Sequence, residues 1–454
     1  MSTTIRSVLI AAFLIAGSFY SRAGVLQFDA SCDNFWNTCC DCGVNMKCNN
    51  WSVPASIAPL CPSLPSLADD LTITLPCTIQ AGMSGTAGTL QQSGSTFTLN
   101  GNLSVNTDAA FDGPVLWNSG TIARASSNVA MIDINNDMTI QGSDQKFLGG
   151  NAGLLNGGVE VVNNSTITWS GSGGLQMGPI PGNISPATLR TTTGNLFDVR
   201  NDSSIIGTGF GLGRIDVEGT LQKSAGSGVS DWNVILRNSG LVHVQTGSLK
   251  LDGSGEASGE FRIDAGAQLT FATVFFFEFK PGIEFTGDGD VVLVDTGSNV
   301  GILVQEDIEL NRLRVENSGA VGPTSNFGSI TMTELLEVDG ARFFPPVIIA
   351  SGARLVQDGP NESFFGDLNI AGEVDIIQGN LSTSDRTLTV EPSGVVEIRD
   401  GAALRTAGLS NLHIQNNGTI QKTTGNGTAS VLADFFELFF NNAGGLIHVG
   451  TGTL

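Results

Sequence analysis

Histidine occurs three times and tyrosine once in 454 residues, charged residues make up 14% of the chain, and no cysteine follows Cys77. Each scarcity excludes something. So low a charge content excludes a long helical or coiled-coil protein, since a typical globular chain is about 25% charged. The 21 Lys plus Arg stand against 43 Asp plus Glu, a formal net charge of −22. That excludes nucleic acid as a partner, because releasing phosphate counterions needs a basic surface. What is abundant is glycine, 59 copies, among many Asn, Ser and Thr, with a 41% hydrophobic fraction. Apolar residues spread evenly along the chain, so disorder is excluded as well. The remaining class is an acidic, strand-forming protein.

The first 23 residues read as a secretory signal peptide. Arg6 supplies the positive region, Val8 to Ile15 the apolar one, and Ser21-Arg22-Ala23 the small residues before cleavage. That apolar run is shorter than the roughly 20 residues a spanning helix needs, and no later run is longer, so the mature chain is expected to carry no membrane span. Residues 24–80 then form a segment of their own, holding all seven cysteines: Cys32, Cys39, Cys40, Cys42, Cys48, Cys61 and Cys77. In an oxidising compartment this cluster predicts a disulfide-stapled N-terminal cap with one thiol left over. A metal site on Cys39, Cys40, Cys42 and Cys48 is the alternative, but it lacks the paired CxxC elements of zinc modules.

From about residue 81 to 454 the texture is uniform. Short strands with apolar residues at alternate positions follow glycines, as in Gly247-SLKL, Gly259-EFRI, Gly266-AQLTF, Gly282-IEFT, Gly352-ARLV, Gly372-EVDI, Gly394-VVEI and Gly401-AALRT. Alternation of this kind marks a half-buried strand. Gly219-TLQKSAGSG matches Gly418-TIQKTTGNG, and Gly240-LVHVQTGSL matches Gly445-LIHVGTGTL; Asn118-SGTIARASSN is a weaker relative. Unequal spacing between matching strands suits stacked coils, each touching only its neighbours. The fold expected is all-β: a single-stranded right-handed parallel β-helix, with coils of about 20–25 residues, some 15–18 of them, stacked about 4.8 Å apart. Most of the 25 phenylalanines are assigned to its core, and the run Phe275–Phe277 must turn at least one ring outward.

Parallel β-helices also host polysaccharide lyases and hydrolases, which need paired carboxylates. Polygalacturonase-like enzymes carry Asn-Thr-Asp, a downstream Asp-Asp, Gly-His-Gly and Arg-Ile-Lys. Here Asn106-Thr107-Asp108 matches, Asp69-Asp70 lies upstream, no Gly-His-Gly occurs, and Arg214-Ile215 is followed by Asp216. A Ca²⁺ candidate is the acidic turn Asp288, Asp290 and Asp295, although it lacks the order of ligands in a dedicated calcium loop. His243 and His448 occupy equivalent strand positions and His413 stands alone, so no Ser/His/Asp or Cys/His nucleophile can be assembled. Ten Asn-x-Ser/Thr sequons include Asn50, Asn102, Asn183, Asn361, Asn417 and Asn426.

Asp33-Asn34-Phe35-Trp36, Asn50-Trp51-Ser52, Pro62 or Pro65 and Asp69-Asp70-Leu71-Thr72-Ile73 together resemble the entrance segment that precedes β-solenoids in secreted bacterial proteins. The later N-x-G-T-[I/L] and G-[S/T]-L strands are similar to passenger repeats of autotransporters and other surface adhesins. The Cys cluster between the two tryptophans departs from that pattern. The resemblance implies an extracellular or cell-surface protein that adheres or builds a scaffold, with glycans or other surface proteins as partners and no catalytic residues to carry over. The runner-up is an extracellular polysaccharide lyase or hydrolase on the same fold. The chain stops at Gly452-Thr453-Leu454 without a visible cap or anchoring motif, which reads as a truncated solenoid.

Overall fold

The computed structural model describes residues 25–28 and 70–454, except 74–75, 80, 82–83, 125–128, 151–157, 179–185, 209–212, 273–275, 295–300, 317–319, 323–327, 360, 385, 407–410, 433–437 and 443. Among the described residues there is no helix; every paired strand is parallel to its neighbours, and the chain winds as a β-solenoid. The expected all-β parallel fold is what forms. Asp70–Ile73 lies on the first sheet, Cys77–Ile79 on the second and Ser84–Ala87 on the third, after which Thr89–Gln92 returns to the first beside Asp70–Ile73. Stacking therefore begins ahead of residue 81, and Val25–Phe28 already pairs with Asp70–Ile73. The first sheet reaches 18 strands. Coil length varies more than the spacing suggested: along the first sheet from Asp70 onward it runs from 19 residues between Leu71 and Leu90 to 29 between Ile132 and Val161.

Inward side chains stack in register. Val161, Leu189, Ile215 and Leu236 follow one another on the first sheet, and beyond Gly255 the same row continues through Phe277, Ile302, Val321, Phe343 and Phe364. All of these apolar residues are buried. Each such side chain stabilises the stack by about 1.5–3 kcal/mol. The gap at Gly255 is required, because a Cβ there would lie 2.5 Å from the Phe277 ring. Five rings fill that cross-section from three sides: Phe277 and Phe279 from the first sheet, Phe261 and Phe285 from the second, Phe271 from the third. Their centroids lie 4.8–5.5 Å apart at the closest pairs, mostly edge to face, the arrangement ring quadrupoles favour. Phe276 is the ring that turns outward, 48% exposed.

The internal repeat has a local cause. Thr220–Lys223 stacks under Leu241–Val244, and Thr419–Lys422 stacks under Leu446–Val449, so each copy is two successive coils. The copies occupy different faces. The first lies on the second sheet; the later one lies on the third, beyond Ile308–Glu316 and Ile330–Val338. These two nine-residue strands run through a bulge near Leu310–Arg312 and join the second face to the third. What recurs is a corner, built by a buried cation. The Lys223 Nζ, inside the coil, donates to Asn201 O and Asp202 Oδ1 at 2.8 Å and to Ala225 O at 3.1 Å. Lys422 Nζ does the same with Asp400, Thr424 O and Gly425 O. Arg124 is buried at the matching place of the weaker relative. An asparagine closes the preceding corner: Asn238 Oδ1 accepts from Gly240 N–H at 3.1 Å and its amide donates to Glu260 O at 3.0 Å.

Candidate functional site

Strand alternation places every second residue of the first sheet outside the coil, and stacking lines those residues up along the solenoid axis. Between residues 159 and 280 this outer face is ionic. One row runs Val162, Arg190, Asp216, Arg237, Glu256, Glu278 and the parallel row Glu160, Thr188, Arg214, Ile235. Opposite charges on adjacent strands stabilise a sheet and like charges destabilise it, so Arg190, Asp216, Arg237 and Glu256 alternate, while the like pair Glu256 and Glu278 shares Lys280. Arg190 Nε lies 3.1 Å from Glu160 and its Nη1 3.8 Å from Glu218; Arg214 Nε lies 2.9 Å from Asp216, and Arg237 Nε 3.4 Å from Glu256. Lys280 pairs with Glu256 and stands 3.7 Å from Glu278.

All of these paired side chains except Glu278 line a cavity of about 410 Å³. Its four cations, Arg190, Arg214, Arg237 and Lys280, face four carboxylates, Glu160, Asp216, Glu218 and Glu256. Asp216 is the least exposed acid of the four, its side chain 15% accessible. Burial pushes its carboxyl above the usual range, although Arg214 and Arg237 pull the other way. Glu256 moves oppositely, held low by its hydrogen bond to Lys280. One groove thus holds two carboxyls whose surroundings drive their titration apart.

The residues singled out from sequence fall elsewhere, with one exception. Asp290 is engaged by Arg312, Nε to Oδ1 2.7 Å, Asp288 lies in the preceding turn, and Asp295 is outside the described residues. Among the described residues no three His, Cys, Asp or Glu side chains converge as a metal site. His243 sits between buried Val242 and Val244 as expected, with Nε2 2.9 Å from Asp264 Oδ1. His413 stacks on Phe439 at 4.7 Å, and His448 is exposed on the last strand. Cys77 is buried at the start of its second-sheet strand, while Cys32, Cys39, Cys40, Cys42, Cys48 and Cys61 lie outside the described residues, as do the tryptophans of the entrance segment. Asp108 opens the outer row that continues through Met131 to Glu160. The exception is Arg214-Ile215-Asp216, weighed only as a failed Arg-Ile-Lys, which supplies two groove residues. Arg190, Arg237, Glu160 and Glu256 carried no sequence signal, because their meeting depends on coil lengths of 28, 26, 21 and 19 residues.

Comparison with protein-family models, curated proteins and solved structures yields no match, so function is argued from geometry alone.

Proposed function

We propose that the chain is an exported β-solenoid acting in adhesion or surface structure, similar in role to the passenger repeats of secreted adhesins, and not an enzyme. The observation that carries this reading is the continuity of the rod: parallel stacking runs from Asp70 to Val449, on ladders of buried apolar residues as far as Ala429. Its outside is tied coil to coil by ion pairs. Such a rod displays side chains at a fixed axial spacing. Export through a signal peptide cleaved after Ala23 and an extracellular or cell-surface location belong to the same proposal, as do glycans or surface proteins as partners. Protease treatment of intact source cells tests it: digestion of the chain without lysis, with a mature N-terminus at Gly24, is the expected result. A chain protected until lysis, still carrying residues 1–23, sinks it.

One observation favours the runner-up, a polysaccharide lyase or hydrolase. Burial raises the Asp216 carboxyl against the pull of Arg214 and Arg237, the direction in which a general acid is tuned. Release of new reducing ends, lost in Asp216→Asn, would support that reading.

A further inference from the structure

We propose that the first-sheet groove takes a neutral, hydroxyl-rich polysaccharide laid along the solenoid axis, with Phe276 as a stacking platform at one end. This rests on the reading of the chain as an extracellular scaffold.

Shape is the first support. From Val162 to Glu278 the outer row that carries the groove crosses five coil steps, roughly 24 Å at about 4.8 Å per step. That length suits an extended polymer rather than one sugar. Charge is the second. Four cations balance four carboxylates inside the groove, and each cation has an acidic partner. The chain as a whole carries −22, a field that disfavours polyanions. An uncharged ligand meets neither obstacle. The ion pairs of Arg214 and Arg237 run through Nε, and a guanidinium has further N–H donors on its Nη nitrogens. Glu218 and Glu256 remain partly exposed as acceptors. Adjacent sugar hydroxyls both donate and accept, so one arginine with one carboxylate satisfies a pair of them.

Phe276 is the third support. It lies two residues before Glu278, which stacks on Glu256 at the groove, and 48% of it is exposed. Cross-strand pairing explains the ionic rows as stitching. It does not explain the cavity, and Phe276, although not one of the lining residues, faces solvent just ahead of the strand Phe277–Phe279 that leads into the lining Lys280. An apolar ring next to convergent polar groups is the usual make-up of a carbohydrate-sized site.

The test is affinity electrophoresis of the full mature chain in gels containing laminarin, galactomannan or hydroxyethyl cellulose as neutral probes and polygalacturonate or heparin as anionic ones. Phe276→Ala and the charge-balanced double variant Arg237→Ala/Glu256→Ala are run beside it, with circular dichroism and melting to show that both fold. The expected result is retardation by at least one neutral polymer, unchanged between about 0.1 and 1 M salt, over which the screening length falls from about 10 to 3 Å. Both variants should bind roughly tenfold more weakly or worse. Retardation by no polymer overturns the proposal. Retardation only by the anionic ones, lost in salt, or equal retardation of folded variants and parent, overturns it too. A surface-exposed chain that no gel retards loses the groove assignment and keeps the scaffold reading. A chain found inside the cell loses the scaffold reading whatever the gels show.

Discussion

Replacing Lys223 by Met keeps a linear side chain inside the coil and removes only the ammonium. Two main-chain carbonyls, Asn201 O and Ala225 O, then lose a charged donor at 2.8 and 3.1 Å, and Asp202 loses its partner. Hydrogen bonds to charged groups contribute about 1.5–3 kcal/mol each, and unmade buried ones cost comparably. Against this, the substitution relieves the desolvation of a 1% exposed ammonium, which is itself costly. The net expectation is a loss of about 1–3 kcal/mol. It should be local, because each coil couples only to its neighbours. Hydrogen exchange of the amides between residues 199 and 248 should therefore speed up while the Phe277 region keeps its protection. The pH dependence has a defined sign. The hydrogen bond from Lys223 holds Asp202 below the usual carboxylate range. A depressed folded value adds stability that is present above the unfolded value of about 3.9 and is lost as pH falls through the folded one. The gap between parent and Lys223→Met should thus be widest above about pH 4 and narrow below it, by a small amount because Asp202 is 40% exposed. Equal or greater stability of Lys223→Met at neutral pH, with unchanged exchange at this corner, would refute the corner-cation account.

Other outcomes follow from the same packing. Phe277→Ala, which empties the centre of a five-ring cross-section, should cost about 3–5 kcal/mol by denaturant titration. Gly266 has φ +81° with open space around it, so Gly266→Ala should cost only the left-handed penalty of about 1–2 kcal/mol. At Gly120, φ is +85° and a Cβ would lie 1.8 Å from Gly101 O, so Gly120→Ala should cost clearly more; equal midpoints would contradict the close approach. Burial raises the Asp375 carboxyl, but Arg399 and Arg354 outweigh it and hold the group low. Its contribution to stability should persist above about pH 4 and fade as the folded value is passed on acidification. The acid-unfolding profile of Asp375→Asn should lack that step.

Fold class was legible in the chain because period-two alternation after glycines survives any choice of register. Gly266 and Gly247 turn corners at positive φ, as their places before strands suggest, and the outward ring was confined to Phe275–Phe277. Coil length was less legible. The longer coils gain their residues between one strand and the next, as between Lys146–Gly150 and Val159–Asn163, and added residues there leave the strand pattern on either side intact. The groove was hardly legible at all. Arg190, Asp216, Arg237 and Glu256 are each unremarkable outward residues of separate strands, and only the pairing of Arg190 with Asp216 and Asp216 with Arg237 makes them one site. Lys223 and Lys422 were visible as a repeat. Their burial was not, since lysine in an alternating strand ordinarily marks the solvent side.

The most direct test of the scaffold account is an assay for new reducing ends, with the mature chain incubated with and without Ca²⁺ against the same neutral and acidic polysaccharides. The expected result is retention of the parent on a neutral polymer, with no new ends released by either the parent or Asp216→Asn, with or without Ca²⁺. Turnover on any polymer that Asp216→Asn abolishes would contradict the account and make the groove an active site.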